Sequence, residues 1–186
     1  MPDQTKFETA VFGGGCFWCT EAVFRRLRGV SKTVPGYTGG TSVNPAYNDL
    51  HERDTGHVEA LRVEFDPTQI SYGTLLDVFF GTHDPTTLNR QGNDSGPQYR
   101  SVIYFTDETQ KALATQKITR LTTDQVFNQP IVTTIEPLKT FYPAEPEHRD
   151  YYEKNQQNPY CQVVISPKIA KLRQHYAQFL KGGNDD

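Results

Sequence analysis

The run Gly13-Gly14-Gly15-Cys16-Phe17-Trp18-Cys19 constrains this chain more than any other segment. It follows a short apolar stretch, Ala10-Val11-Phe12, and precedes a helical pattern. That order predicts a strand, a glycine turn and the start of a helix. Cys16 then falls at the first helical turn, under free backbone N–H groups and the positive end of the helix dipole. Such an environment favours thiolate over thiol, and the thiolate is the nucleophile. A free cysteine also serves as a small buried hydrophobe, but three glycines bring backbone donors close to the sulfur and favour the reactive reading. Phe17 and Trp18 beside a nucleophilic sulfur suggest a site for a small apolar group.

With 186 residues the chain is long enough for one domain with a real core. Its net charge of -3 comes without any Lys/Arg-rich run, so phosphate-driven nucleic-acid binding is not expected. No apolar stretch is long enough to span a bilayer. Met1 to Ala10 has no apolar signal core, so the expectation is a cytoplasmic protein without membrane association. Three cysteines are an odd number and too few for a disulfide scaffold. With a C-x-x-C pair among them, they point to thiol chemistry or metal in a reducing compartment.

The hydrophobic pattern predicts strands at Phe7–Phe12, Val30–Val34, His57–Phe65, Ser101–Phe105 and Ile131–Glu136. The second of these is expected to end at Pro35-Gly36. Helices are predicted over Phe17–Leu27, Ser71–Phe80, Asp107–Leu121, Arg149–Asn155 and Lys168–Leu180. Tyr37–Thr55 reads as a loop with a short helix at Tyr47–His51, and Asp84–Arg100 as a long polar loop. Strands and helices mix without strict βαβ alternation. That favours an α+β fold, a two-layer α/β sandwich around a mixed sheet with long functional loops. Residues 1–181 are expected to form one domain and 182–186 a disordered tail.

Alternation within His57–Phe65 puts Glu59 on the face of Leu61, Val63 and Phe65, not with Arg62 and Glu64. An ionised carboxyl on an apolar face is costly, so desolvation should raise its pKa. A carboxylic acid protonated near neutral pH can donate a proton to a substrate oxygen. The other reading is a strand-end residue that reaches solvent. Tyr47 and Tyr99 stand in polar loops, where two hydroxyls could bind one polar oxygen or the rings could simply pack. Cys19 shares a helical stripe with Ala22, Val23 and Leu27, which suggests the core. Positions i and i+3 on a first turn are also the arrangement of redox dithiols, so both readings of Cys19 stand.

Six blocks occur in order along the chain: Gly15-Cys16-Phe17-Trp18, Gly36-Tyr37-Thr38-Gly39-Gly40, Asn44-Pro45-Ala46-Tyr47, Thr55-Gly56-His57-Val58-Glu59-Ala60, His83-Asp84-Pro85, and Gln91-Gly92-Asn93-Asp94 through Gln98-Tyr99-Arg100-Ser101. Together they resemble the signature blocks of the A-type peptide methionine sulfoxide reductases. The resemblance implies Cys16 as nucleophile, Phe17 and Trp18 as walls for the substrate methyl, and Glu59 as the acid that protonates the sulfoxide oxygen. It implies Tyr47 and Tyr99 as the hydroxyls that bind that oxygen, and Asp94 as a polar support. The expected enzyme reduces the S epimer of methionine sulfoxide, protein-bound or free. It acts as a monomer, with thioredoxin as reductant and no metal or organic cofactor.

In the chemistry that follows, Cys16 attacks the sulfoxide sulfur, methionine departs and a sulfenic acid remains. A second thiol condenses with it to a disulfide. Cys161 matches the family's usual resolving position, although Gln162-Val163-Val164-Ile165 and a helix follow it in place of a glycine-rich tail. Cys19 is the other candidate, and the positional match favours Cys161. Three other readings compete. A thioredoxin-like dithiol oxidoreductase would normally keep smaller residues than Phe17-Trp18 between its cysteines. A zinc module built on Cys16, Cys19 and two histidines lacks a second C-x-x-C or an H-x3-5-H spacing. A non-catalytic methionine-binding module would have no use for Cys16 or Glu59.

Overall fold

The computed structural model describes residues 4 and 6–182. The elements, in chain order, begin with β1 (Glu8–Gly13), α1 (Phe17–Phe24), β2 (Val30–Thr38), α2 (Tyr47–Glu52), β3 (Val58–Phe65) and α3 (Tyr72–Thr82). Next come β4 (Arg90–Gln91), β5 (Asp94–Ser95), β6 (Val102–Phe105), α4 (Glu108–Thr123), β7 (Thr134–Pro137) and β8 (Tyr142–Pro143). The chain closes with α5 (Tyr151–Lys154), a π-helical turn at Cys161–Ile165 and α6 (Ser166–Tyr176). The expected disordered tail lies outside the described residues except for Gly182.

Six strands form one mixed sheet in the order β7-β6-β1-β3-β2-β8. All neighbours are antiparallel except β6 and β7, which run parallel and are joined through α4. The fold is therefore α+β, as the pattern of elements predicts. Side-chain alternation sorts the sheet into two faces. Ala10, Phe12, Leu61, Val63, Phe65 and Ile103 point to the helical side, into a core with Val23, Phe24 and Leu27 near α1 and Leu75, Leu76 and Phe79 of α3. Phe12 is the centre of that core, stacked 5.2 Å from Phe24 and 4.9 Å from Phe79. Val11, Val58, Ala60, Val102 and Tyr104 face the other way and are covered by Leu138 and Phe141.

Local signals account for most helix starts. Ser71 accepts from the Thr74 N–H at 3.0 Å and Asp107 from the Gln110 N–H at 2.8 Å, so α3 and α4 each begin on a side-chain cap. Cys16 at the α1 N-cap makes no such bond. Gly15 ahead of it adopts φ +91, a left-handed conformation that glycine takes without steric cost.

The structure departs from the sequence expectations in three places. β2 does not stop at Pro35-Gly36 but continues to Thr38. Pro35 accepts from the Ala144 N–H at 2.9 Å, on the β8 side. N and C=O of a strand residue point the same way, so the missing N–H removes no bond to β3. Gly36 is needed because β8 crosses so closely: a Cβ there would collide with the Tyr142 carbonyl oxygen and the Phe141 ring. The run after Cys161, left without an element by the sequence pattern, is helical: Cys161–Ile165 is a turn leading straight into α6. The long polar loop contains its own two-stranded hairpin, with Gln91 paired to Asp94.

Gly36→Ala is accordingly expected to destabilise the protein by about 1–3 kcal/mol, the usual cost of overpacking. The urea midpoint measures it, and an unchanged midpoint would mean that β8 is free to move away.

Candidate active site

β1 is a central strand whose last pair with β3 is Phe12 with Leu61. Beyond it the chain turns through Gly14 and Gly15 into α1, so the helix N-terminus stands over the first residues of β3. Glu59 lies there, 1% exposed, and its Oε1 accepts the Phe17 N–H at 3.2 Å. A carboxyl from another strand thus takes one of the donors that Cys16 leaves uncapped. Glu59 Oε2 has no hydrogen-bond partner. His51 Nε2 stands 3.6 Å from it, too far for a hydrogen bond. Burial raises the Glu59 pKa against the opposing pull of His51 and the Phe17 N–H. Glu59 in turn raises the His51 pKa, so the carboxyl at Oε2 and the imidazole at Nε2 compete for one proton.

Cys16 is 7% exposed and Cys19 3%. The Cys19 N–H donates to the Cys16 carbonyl at 3.1 Å, closing the first turn and setting the two thiols one turn apart. The expected thiolate preference of Cys16 is not found. Burial pushes its pKa well up, and the Cys19 sulfur and Glu59 add to the rise, against a single lowering contact from the Trp18 backbone. A helix terminus offers less than desolvation costs a charge. Cys19 goes the other way, lowered first by the neighbouring Cys16.

Tyr47 and Tyr99 converge on the same place. Both hydroxyls have pKa values raised by burial first, then by charges that include Glu59, Cys16 and Asp94. They stay protonated and able to donate. Asp94 accepts from the Tyr160 hydroxyl at 2.5 Å, and Tyr160 also touches Cys19 Sγ at 3.6 Å. Cys161 is 0% exposed and shares a buried cluster with Cys16, Cys19, Ala22 and Ile165. Cys19 thus faces neither solvent nor the main core but the other two cysteines.

Of the two aromatic walls, Phe17 is wholly buried against Tyr37 and Leu50. Trp18 is half-buried, and its ring lies flat on Tyr151 at 3.6 Å. Its indole N–H donates to His148 Nδ1 at 3.0 Å, which requires that nitrogen to be unprotonated. Burial lowers the His148 pKa and keeps it so. Tyr47 is packed at 4.5 Å from the His148 ring and 4.2 Å from His51. Sequence reasoning missed His51, His148, Tyr151 and Tyr160. The density of tyrosines between Tyr142 and Tyr160 was the available signal. The cysteines belong to no group with metal-ligand geometry; among the described residues Glu145, Glu147 and His148 form one.

Two thiols one turn apart at a helix start, with a buried carboxyl of raised pKa beneath them, define a site for thiol-dependent redox chemistry. The family model described as peptide methionine sulfoxide reductase matches residues 8–180. The chain belongs to that family. It is 56% identical over 174 residues to the peptide methionine sulfoxide reductase MsrA of Deinococcus radiodurans, covering 94% of this chain and 84% of that one. To the MsrA of Chromobacterium violaceum it is 51% identical, over 94% of this chain and 99% of the other. Among solved structures it resembles reduced Mxr1 from Saccharomyces cerevisiae, with a TM-score of 0.77 and 34% identity over 86% of this chain and 91% of that one. It also resembles Mxr1 in complex with Trx2, with a TM-score of 0.54 and 28% identity over 80% and 87%.

His148→Ala should raise the KM for a methyl sulfoxide about fivefold, the worth of one neutral hydrogen bond that fixes Trp18, with a smaller change in kcat. Trp18 is the chain's single tryptophan, so its emission reports the loss directly. Unchanged emission and KM would show that Tyr151 alone holds the indole.

Proposed function

We propose that this protein reduces the S epimer of methionine sulfoxide, free or within proteins, through a sulfenic acid on Cys16. The observation that carries the reading is the Cys16–Cys19 pair at the start of α1, opposite Glu59. Tyr47 and Tyr99 hydroxyls bind the sulfoxide oxygen, and Trp18 with the buried Phe17 holds the methyl. Asp94 supports the pocket through Tyr160.

Charge moves in a definite order. Cys16 gives its proton to the neighbouring Cys19 sulfur, whose own pKa is lowered, and is left as thiolate. A neutral Glu59 favours this, because its anion is one of the charges that hold the Cys16 pKa up. The thiolate attacks the electrophilic sulfur while Glu59 protonates the oxygen, so no full negative charge develops there. In the adduct the S–S bond and the substrate S–OH bond then break as the hydroxyl passes to the Cys16 sulfur; methionine leaves with the freed electron pair and Cys16 remains as the sulfenic acid. A second thiol then forms an intramolecular disulfide with loss of water. Thioredoxin reduces that disulfide; the complex of the related Mxr1 with Trx2 supports this choice. No helix of the described residues is long and apolar enough to cross a membrane, and we place the enzyme in the cytoplasm as a monomer.

Two substitutions test the assignment. Cys16→Ser should abolish reduction of methyl sulfoxides, because a hydroxyl is a far weaker nucleophile than a thiolate; near-normal turnover would refute it. Glu59→Gln should slow sulfenic acid formation by about 10²–10⁴-fold. The pH profile carries a sign. Glu59 acts in its protonated form, so the wild-type rate should fall as pH rises through its raised pKa. The slow Gln variant has no proton to lose there and should lack that fall. Rapid-quench profiles of both enzymes decide the point.

A further inference from the structure

Once the sulfoxide oxygen has taken its proton, Glu59 is a carboxylate that must be loaded again before the next turnover. Little can reach it. The side chain is 1% exposed, Oε1 is engaged by the Phe17 N–H at 3.2 Å, and Oε2 is buried without a hydrogen bond. Among the described residues the basic side chain that faces Oε2 is His51, whose Nε2 stands 3.6 Å away. The His51 side chain is 30% exposed. One imidazole therefore meets both the buried oxygen and solvent.

The arrangement is built locally. α2 is pinned by Leu50, which is buried against Phe17 and Tyr37. Its first turn is closed by the Asp49 carboxylate, which accepts the Ala46 N–H at 2.8 Å. Tyr47 and His51 are four residues apart on one helix face, and their rings lie 4.2 Å apart. The helix that brings the Tyr47 hydroxyl to the pocket thus also brings an imidazole to the acid. Tyr37, opposite Glu59 in the β2–β3 ladder, gives its hydroxyl to Glu145 instead.

We infer that His51 returns the proton to Glu59, carrying it from solvent to Oε2 after each reductase step. This deepens the reductase reading and rests on it. The surrounding charges fit the role. Glu59 first, and then Asp94 of β5, raise the His51 pKa against burial. The imidazole therefore takes up a proton most readily when Glu59 is a carboxylate, which is when one is needed. The other groups facing it do not compete. Tyr47 on its own helix and Tyr99, 6.2 Å away, have hydroxyl pKa values raised by burial. Burial lowers the pKa of His148. Asp49 is engaged with the Ala46 N–H and Arg53. Acid–base pairs often stand wider than hydrogen-bond distance in a free enzyme and tighten during reaction. Movement of about 1 Å brings Nε2 within range of Oε2.

The step balances. The proton that Glu59 gave up remains in the sulfenic acid hydroxyl. The Nε2–H bond of the imidazolium breaks and an Oε2–H bond forms, while the electron pair stays on the ring. The neutral imidazole then takes a proton from water or a buffer acid, and nothing is oxidised or reduced. His51 acts on the substrate only through Glu59, as a positioning residue for its proton.

The test is a double-mixing pH jump on the full-length enzyme. Enzyme held at alkaline pH, with both groups unprotonated, is mixed into neutral buffer and aged for a variable time. A short pulse of N-acetylmethionine sulfoxide follows, and the methionine formed in it reports how much Glu59 has been reloaded. In the wild type, loading should quicken with buffer concentration, because His51 meets the buffer acid in solution. His51→Gln and His51→Ala should load slowly and lose the buffer dependence. Added imidazole should restore fast loading to His51→Ala, a rescue that a merely structural histidine would not give. Wild-type loading that ignores buffer concentration would overturn the proposal, and that result depends on no variant folding. So would a His51→Gln enzyme that loads as fast as the wild type. Absence of methionine from the wild type at every age would instead strike the reductase reading, so the two failures are separable.

Discussion

The bond from the Phe17 N–H to the buried Glu59 carboxyl is the contact on which the site depends. It joins the first free donor of α1 to the start of β3, two segments that lie 42 residues apart. Without it a helix terminus and a carboxyl would both be buried and unmatched, at a cost of a few kcal/mol. With it, one oxygen is satisfied and the other, without a hydrogen bond, faces His51 at 3.6 Å. The same contact places the acid directly under the nucleophile, because Cys16 is the residue before Phe17.

Burial decides the electrostatics that follow. The helix terminus and its dipole favour anions at Cys16 and at Glu59, yet both groups have raised pKa values because desolvation is the larger effect. A raised pKa on the acid suits it to deliver a proton to a sulfoxide oxygen, while the Cys19 pKa, one turn away, is lowered.

α1 also holds the segment that covers the site. Glu21 is buried and accepts from the Asp150 N–H at 2.6 Å and from the Thr33 hydroxyl at 3.0 Å; burial pushes its pKa up to about 7. Arg25 pairs with Asp150 at 2.9 Å and Arg26 with Glu153 at 2.8 Å. These contacts anchor α5, whose Tyr151 lies on Trp18. The stretch from Glu145 to Cys161 therefore reaches the pocket through its attachment to the same helix that carries the nucleophile.

The amino-acid sequence by itself determined the strand–turn–helix around Cys16, the α+β class and the face on which Glu59 lies. Each follows from local chemistry: glycines before a helix, mixed periodicities, and a period of two along β3. The blocks around Tyr47, Asp94 and Tyr99 identified the family. Only the tertiary structure decided that β2 runs through Pro35-Gly36, because that depends on where β8 crosses. It alone brought in His148, Tyr151 and Tyr160, which carry no periodic signal and reach Trp18 and Cys19 through contacts more than 100 residues apart in sequence. It also decided that the Cys16 pKa is raised and that of Cys19 lowered. A helix N-terminus can be read from spacing, but the desolvation that outweighs it depends on what the rest of the chain packs around the thiol.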